Sequence, residues 1–469
     1  MMSPEILAVA LVVAMCVLLM LGYPVALTLG GVSLAFALIG DACGVMNLAL
    51  LGAFPQRVFG IMTNDVLLAI PLFVFMGVML ERSRVAEELL ETMGRLFGSL
   101  TGGLAIAVTI VGVLLAAAKG IVGATTVTMG LIVLPTMLRH GYDPRLAAGT
   151  VAATATLAQI FPPATVLVLL GDQMSNAYQA AQLSRGVFAP QSVTVSDLFA
   201  GAIVPALALV ALYLAFLIGV AVLFPETSPA VPPEPGAPHG LKLARRLAEV
   251  LIAPLLLIVA VLGSILGGLA TPTESASIGA LGAILLAIRR FDRGGSWISQ
   301  VLVPVMQKTT QITSMIFVIL IGATLFSLVF RGLGGDELVH RALADLPGGT
   351  GGAVLAVMLA VFLLGFVMDA FEIIFVVVPI VAPPLLALPG VDPVWLAVMI
   401  AMNLQTSYMH PPLGPTLFFL RGVAPPEITT AHIYVGIIPF VLIQLAMLTL
   451  LWFAPALATL LPHALYGGG

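Results

Sequence analysis

Charge is what this sequence has least of. Of 469 residues, 18 are lysine or arginine and 22 aspartate or glutamate, 9% together, where soluble domains carry about 25%. An ordinary water-facing surface cannot be assembled from so few charged side chains, which excludes soluble catalysis, secretion and nucleic-acid binding. Cysteine is almost absent: Cys16 and Cys43 define neither a disulfide framework nor a metal site, and they leave the redox compartment unread. No HExxH, GxSxG or paired-aspartate motif accompanies Asp369, Glu372 or His410, so an intramembrane enzyme has no support and the chain is not read as one. The first apolar run, 4–22, lacks a preceding basic region and is followed at once by another, so it reads as a retained span rather than a cleaved signal.

What remains is apolar. Hydrophobic residues make up 60% of the chain and mean hydropathy is +1.16. Apolar runs long enough to cross a hydrocarbon core of roughly 30 Å recur along its length. The expected fold is an all-α polytopic membrane protein embedded in a lipid bilayer. The net charge of −4 decides little, because orientation follows lysine and arginine in short loops.

The chain repeats itself. GYDP at 141–144 recurs as GVDP at 390–393, Pro162 and Pro163 recur as Pro411 and Pro412, and Pro135 recurs as Pro384, each 249 residues on. Pro24 and Gly31 match Pro272 and Gly279 at 248, and Pro205 matches Pro439 at 234. One offset shared by three pairs within 135–163 reads as a duplication, the internal symmetry that secondary transporters carry. The first repeat is placed at 1–224, a linker containing PETSPAVPPEPGAPHG at 225–245, and the second repeat at 246–469. The later drop in offset puts extra residues in the first copy. Its polar stretch DQMSNAYQAAQLSRGVFAPQS, after Gly171, is expected to be a loop outside the bilayer.

Charge placement orients the copies. The loop RHGYDPR at 139–145 holds two arginines and its partner LPGVDP at 388–393 none, whereas 41–60 holds Arg57 alone and its partner opens with RRFDR at 289–293. Opposite members of each pair are basic. An inverted topology satisfies both, with 139–145, 289–293 and the linker's Lys242, Arg245 and Arg246 in the cytoplasm.

Within each copy about five spans are expected, ten in all, plus one re-entrant helical hairpin. In the first copy the spans begin near 4–21, 24–40 and 66–82, followed by an amphipathic surface helix at 83–98. The apolar stretch of about 100–138 is too long for one crossing and too glycine-broken for two. A hairpin tipped by KGIVGATT at 119–126 fits it, and its counterpart runs over about 351–388 with MDAFEI near the tip. The following spans, 145–171 and 393–420, are interrupted by FPPAT and HPPLGP, whose adjacent prolines remove helix donors. Freed carbonyls suit a cation and the exposed half-helix amino end an anion, while ordinary proline kinks are the bland alternative.

These residues resemble the large membrane subunit of tripartite ATP-independent periplasmic (TRAP) transporters, within the ion transporter superfamily. The likeness rests on GLATPTESA at 268–276, on GYDPRLAAG with FPPAT, and on GVDPVWLAVMIAMNLQTSYMHPPLGPTLFFLRGVAP at 390–425. It implies an elevator-type transporter of the bacterial inner membrane, with Na⁺ as coupling ion and no other cofactor. It also implies a small four-helix membrane subunit and a periplasmic solute-binding protein that delivers an organic acid. A transporter of the same superfamily that works alone, or one coupled to H⁺, stays open. A 2-oxo or other monocarboxylic acid is favoured because DAFEI and NLQTSYMHPP resemble that branch, with sialic acid, C4-dicarboxylate and sugar-like substrates open.

Two departures from the family pattern stand out. The first hairpin tip, usually small and hydroxyl-rich, reads AAKGIVGATT with Lys119, and the second carries Asp369 and Glu372. Charge inside a bilayer costs roughly 2.5 to 3.5 kcal/mol or more per residue, so these three are expected to face protein and either bind ligand or pair with one another. The Lys119 ammonium either takes the place of a Na⁺, contacts a substrate carboxylate, or pairs with Asp369 or Glu372. The substrate site is placed at Lys119, Thr125, Thr126, Asp369, Glu372, Asn403, Gln405, Thr406 and His410, and the ion site at Gly120, Gly123, Pro162, Pro163, Thr165, Pro411, Pro412 and Gly414. Asp143, Asp392 and Glu274 are read as caps, and Gln159 either lines the cavity or bridges helices.

Overall fold

The computed structural model describes residues 3–83, 85–119, 122–231, 241–290, 296–412 and 414–467. These are helices joined by short connections, with no β-strand among the described residues. In chain order they are α1 (Pro4–Met20), α2 (Val25–Ala42), α3 (Phe54–Met62), α4 (Ala69–Arg82), α5 (Val85–Phe97), α6 (Gly103–Lys119), α7 (Val122–Arg139), α8 (Pro144–Thr156), α9 (Thr165–Ser184), α10 (Val195–Leu223) and α11 (Leu241–Leu266). The second set continues with α12 (Pro272–Arg290), α13 (Val303–Gly332), α14 (Gly335–Ala344), α15 (Gly349–Leu364), α16 (Ala370–Glu372), α17 (Val378–Ala387), α18 (Pro393–Ser407), α19 (Pro415–Val423), α20 (Thr430–Phe453) and α21 (Ala456–Tyr466).

Among the described residues, seven helices are long and apolar enough to cross a membrane. Shorter apolar or broken helices occupy the other expected spans. The same succession occurs twice: three spans (α1, α2, α4, then α11, α12, α13), a surface helix (α5, then α14), a hairpin (α6 and α7, then α15 to α17), a broken span (α8 and α9, then α18 and α19) and a last span (α10, then α20). Much of the linker, residues 232–240, lies outside the described residues, as do 291–295 and the side chains of Lys242, Arg245 and Arg246.

Start signals in the sequence become caps. Ser3 accepts from the Ile6 amide ahead of Pro4, and Asp143 accepts from the Arg145 and Leu146 amides at 2.7 and 3.3 Å to begin α8. Asp392 accepts from the Trp395 amide at 2.8 Å ahead of α18. Glu274 accepts from the Thr271 amide at 2.8 Å while its own amide donates to the Thr271 hydroxyl, a reciprocal pair that opens α12. Gly141, at φ +78°, lets the chain leave α7 and turn into that Asp143 cap.

Two expectations are corrected. The polar stretch after Gly171 is not a loop down to residue 192: α9 runs on to Ser184. Hydropathy reports affinity for lipid, not for helix, and this stretch is rich in good helix formers such as Ala, Gln, Met and Leu. The segment 41–60, read only as a loop, likewise contains α3 and a 3₁₀ turn over Leu48–Ala53.

The helices pack as two compact units, one formed by Met1–Leu68, Leu169–Val195 and Gln311–Leu404 and the other by Ala69–Val168, Ser196–Thr310 and Gln405–Gly469. In the second unit α20 lies along α8 and α12 along α4. Glycine permits the first crossing: a Cβ on Gly149 would overlap the Gly436 carbonyl, and one on Gly436 the Arg145 carbonyl. Nearby, fully buried Gln444 donates to the Tyr213 hydroxyl at 2.8 Å, with the Phe440 ring edge-on to Tyr213. Tyr213→Phe therefore costs about 2 kcal/mol by orphaning that amide, and adding Gln444→Leu recovers most of it. Thermal unfolding of the two single variants and the double checks this.

Candidate substrate and ion site

Each broken span fails where its prolines fall. After α8 a single 3₁₀ turn, Leu157–Gln159, leads into non-helical backbone with a cis peptide between Pro162 and Pro163, and α9 resumes at Thr165. After α18 the chain leaves the helix at Tyr408, passes a cis peptide between Pro411 and Pro412, and resumes at Pro415 in α19. The second break is folded on itself. The Gly414 amide donates to the His410 carbonyl at 3.0 Å, the Thr416 amide to the Tyr408 carbonyl at 3.2 Å, and the Tyr434 hydroxyl to the Pro412 carbonyl at 3.0 Å. Gly414 is required there, since a Cβ would press on the Tyr408 carbonyl at 2.6 Å.

The two breaks meet in the second unit. Gln405 donates from Nε2 to the Thr156 hydroxyl at 3.3 Å, and the same hydroxyl lies 3.6 Å from the Met409 sulfur. Thr156 and Gln405 are 249 residues apart, the repeat offset itself. A residue that touches its own counterpart in a two-fold arrangement lies on the axis, so the pseudo-two-fold passes between these side chains.

On the elements flanking the two breaks, buried oxygens lack partners. The hydroxyls of Thr150, Thr154, Thr165 and Thr416, with the side-chain carbonyls of Gln159 and Gln405, receive no hydrogen bond. Buried polar atoms are almost always satisfied. Six neutral side-chain oxygens are thus left open on α8, the 3₁₀ turn, α9, α18 and α19, and oxygens of this kind are what a hard cation takes as ligands. Thr406 and His410 are buried at the same break.

The first hairpin supports this region. Only residues 120 and 121 separate α6 from α7. Thr125 and Thr126 are fully buried on α7, and Thr126 returns its hydroxyl to the Val122 carbonyl at 2.9 Å. A Cβ on Gly123 would come within 3.0 Å of the Phe419 ring, and one on Gly130 within 2.6 Å of Val423, so α7 seats against α19 through its glycines. The Lys119 side chain and Gly120 lie outside the described residues.

The second hairpin belongs to the first unit. Its turn spans Gly365 to Asp369, after which a short α16, a π-helical turn Ile373–Val377 and α17 form the return arm. Asp369 accepts from the Ala370 amide at 2.8 Å. Glu372, 5% exposed, sits one turn after Asp369 at the start of α16 and leaves Oε2 without a partner. Asn403 donates to the Met358 carbonyl of α15 at 2.7 Å, tying α18 to the hairpin.

Thus Gly123, Thr125, Thr126, Pro162, Pro163, Thr165, Gln405, Thr406, His410, Pro411, Pro412 and Gly414 fall in one unit, and Asp369, Glu372 and Asn403 in the other. Pro162 and Pro163 are buried whereas Pro412 is exposed. Sequence reasoning missed Thr150, Thr154, Thr156 and Thr416. The repeat offset, which pairs Thr156 with Gln405, was the signal that would have found Thr156.

The family model described as "Tripartite ATP-independent periplasmic transporter, DctM component" matches residues 12–457. The C4-dicarboxylate TRAP transporter large permease protein DctM of Vibrio cholerae is 28% identical, over 98% of this chain and 99% of that one. The ectoine/5-hydroxyectoine TRAP transporter large permease protein UehC of Ruegeria pomeroyi is 26% identical, over 97% and 98%. Among solved structures, the YdaH transporter of Alcanivorax borkumensis shares the fold with a TM-score of 0.61 at 16% identity, covering 97% of this chain and 98% of that one.

Proposed function

The chain belongs to the DctM component family of tripartite ATP-independent periplasmic transporters, and on that premise we propose that it imports an organic acid delivered by a periplasmic binding protein, with a Na⁺ gradient as the driving force. It is a multi-pass membrane permease subunit, not an enzyme. Its partners in this reading are a small four-helix membrane subunit and the binding protein, in a bacterial inner membrane. The hairpins and broken spans are the moving body of an elevator.

One observation carries the reading: the two broken spans touch through Thr156 and Gln405, and the elements flanking the breaks carry buried oxygens without partners. Neutral hydroxyls and amide carbonyls fit Na⁺, which prefers hard oxygen donors, and the ion would supply positive charge beside an anionic cargo. Thr150, Thr154, Gln159, Thr165, Gln405 and Thr416 would hold it. The chain's own part is to keep these oxygens buried and fixed, because the prolines prevent the helices from closing over them. The carboxylate class is supported by the C4-dicarboxylate relative, and the ectoine relative shows that one scaffold serves different cargo.

Uptake by proteoliposomes holding both membrane subunits, supplied with the binding protein and labelled pyruvate or succinate, tests the reading. Accumulation is expected only with binding protein and an inward Na⁺ gradient. Thr165→Val is expected to raise the Na⁺ concentration for half-maximal uptake about tenfold, a loss of roughly 1.4 kcal/mol of ion binding. Uptake that persists without binding protein favours a stand-alone carrier, and uptake driven by a pH gradient without Na⁺ overturns the coupling.

A further inference from the structure

The first unit contains a cavity of about 440 Å³ that lies apart from the breaks in the sequence and that none of the residues above explains. Its rim and walls come from α3 with the turn after it (Arg57, Asn64), from α9 (Asp172) and from the end of α13 (Arg331), and Phe375 of the second hairpin's return arm forms part of the lining. The volume lies within the range of small-molecule sites. The lining mixes two guanidiniums, amides and hydroxyls with apolar side chains, the composition that fixes a small polar ligand in one orientation.

The charged groups of this cavity are unevenly paired. Arg331 gives its Nε to Asp336 at 3.1 Å. Asp172 is already committed to amides, accepting from Asn64 at 2.8 Å and from Gln173 at 3.0 Å. Arg57 has no carboxylate within ion-pair distance among the described residues. Burial and the Arg331 guanidinium hold Arg57 below the usual arginine range, and Asp336 opposes them only in part. Arg331 is thus paired and Asp172 is engaged by amides, which leaves Arg57 as the cavity's guanidinium without an ion-pair partner among the described residues, and a ligand carboxylate would supply one with the forked geometry arginine offers. Placement adds to this. On the orientation drawn from loop charge, α3 and the end of α13 lie at the face away from the cytoplasm, where arginine is disfavoured. Yet Arg57 and Arg331 line the same cavity there.

We propose that this cavity is a binding subsite for the carboxylate of the incoming acid, in which Arg57 and Arg331 hold the anion. The identity of that anion as cargo rests on the transport reading above. The occupancy of the subsite does not.

Phenylglyoxal, which modifies accessible guanidiniums, reads the occupancy directly in the wild-type complex reconstituted in phosphatidylcholine vesicles. Modification of Arg57, followed by peptide mass spectrometry, should slow about tenfold when succinate or pyruvate is present at roughly ten times its dissociation constant. Chloride at equal ionic strength should not slow it, and exposed Arg185 should react at the same rate throughout. Equal rates with and without either acid overturn the proposal. Protection by phosphatidylglycerol vesicles with no acid added assigns the cavity to lipid headgroups and also overturns it. In uptake, Arg57→Gln should raise KM about tenfold with the maximal rate kept, and Arg57→Lys should recover part of the loss. Protection without any uptake would sink the transport reading and leave the subsite standing, whereas uptake without protection would do the reverse.

Discussion

Gly436→Ala is expected to leave little folded transporter in the membrane. A single methyl group on this residue would overlap the Arg145 carbonyl, and the reciprocal change at Gly149 would overlap the Gly436 carbonyl. Both obstacles are main-chain atoms, so no rotamer change relieves them, and α8 and α20 have to move apart along their length. Helix association in a bilayer depends on close packing because lipid offers no hydrophobic penalty for separation. The cost is about 3 kcal/mol or more, a large part of the margin by which proteins stay folded. Gly219 on α10, where an added Cβ meets nothing within 4 Å, provides the control. Gly219→Ala should be neutral or gain up to about 1 kcal/mol. Membrane yield and thermal unfolding of the purified proteins decide the matter, and equal stability of the two alanine variants would refute the close-crossing account.

Glu372→Gln should separate folding from transport in the opposite sense. Glutamine keeps the length that places residue 372 beside the Asp369 amide, since either side chain serves at that cap position, but it removes an ionisable carboxyl that is buried with one oxygen unpartnered. Stability is expected to hold or rise by about 1 kcal/mol, because burying an ionisable carboxyl without a full set of partners costs more than burying a neutral amide of the same shape. Uptake should nonetheless fall at least about tenfold, since a costly ionisable group inside a membrane protein is retained for what it binds. A variant that transports as well as the parent protein would reduce Glu372 to a cap.

The architecture was largely legible because its determinants are local and chemical. Paired prolines at 162–163 and 411–412 remove backbone donors whatever surrounds them, so both interruptions could be read from the chain. Asp143, Asp392 and Glu274 announced helix starts for the same reason. The extension of α9 to Ser184 was not legible, because the reading was keyed to hydropathy and this helix continues on polar residues, its Asp172 held by distant Asn64. In the site, Gln405 and His410 are conspicuous because polar groups are rare in such runs. Thr150, Thr154 and Thr416 are not, since a threonine in a helix ordinarily returns its hydroxyl to the preceding turn, as Thr126 does. Only the structure distinguishes hydroxyls that make that bond from those left open. The Arg57 cavity was beyond reach, because it assembles segments more than a hundred residues apart.

The contact between Thr156 and Gln405 also constrains the order of events in the history of the gene. While one reading frame encoded both copies, whatever residue stood at this position had to face an identical twin and be self-complementary. Donor and acceptor could be divided between an amide and a hydroxyl only after the gene was duplicated and its copies were free to diverge. The asymmetry of this one hydrogen bond is therefore younger than the duplication. Thr156→Gln and Gln405→Thr, each of which restores identity across the axis, are the variants closest to the ancestral arrangement at that point.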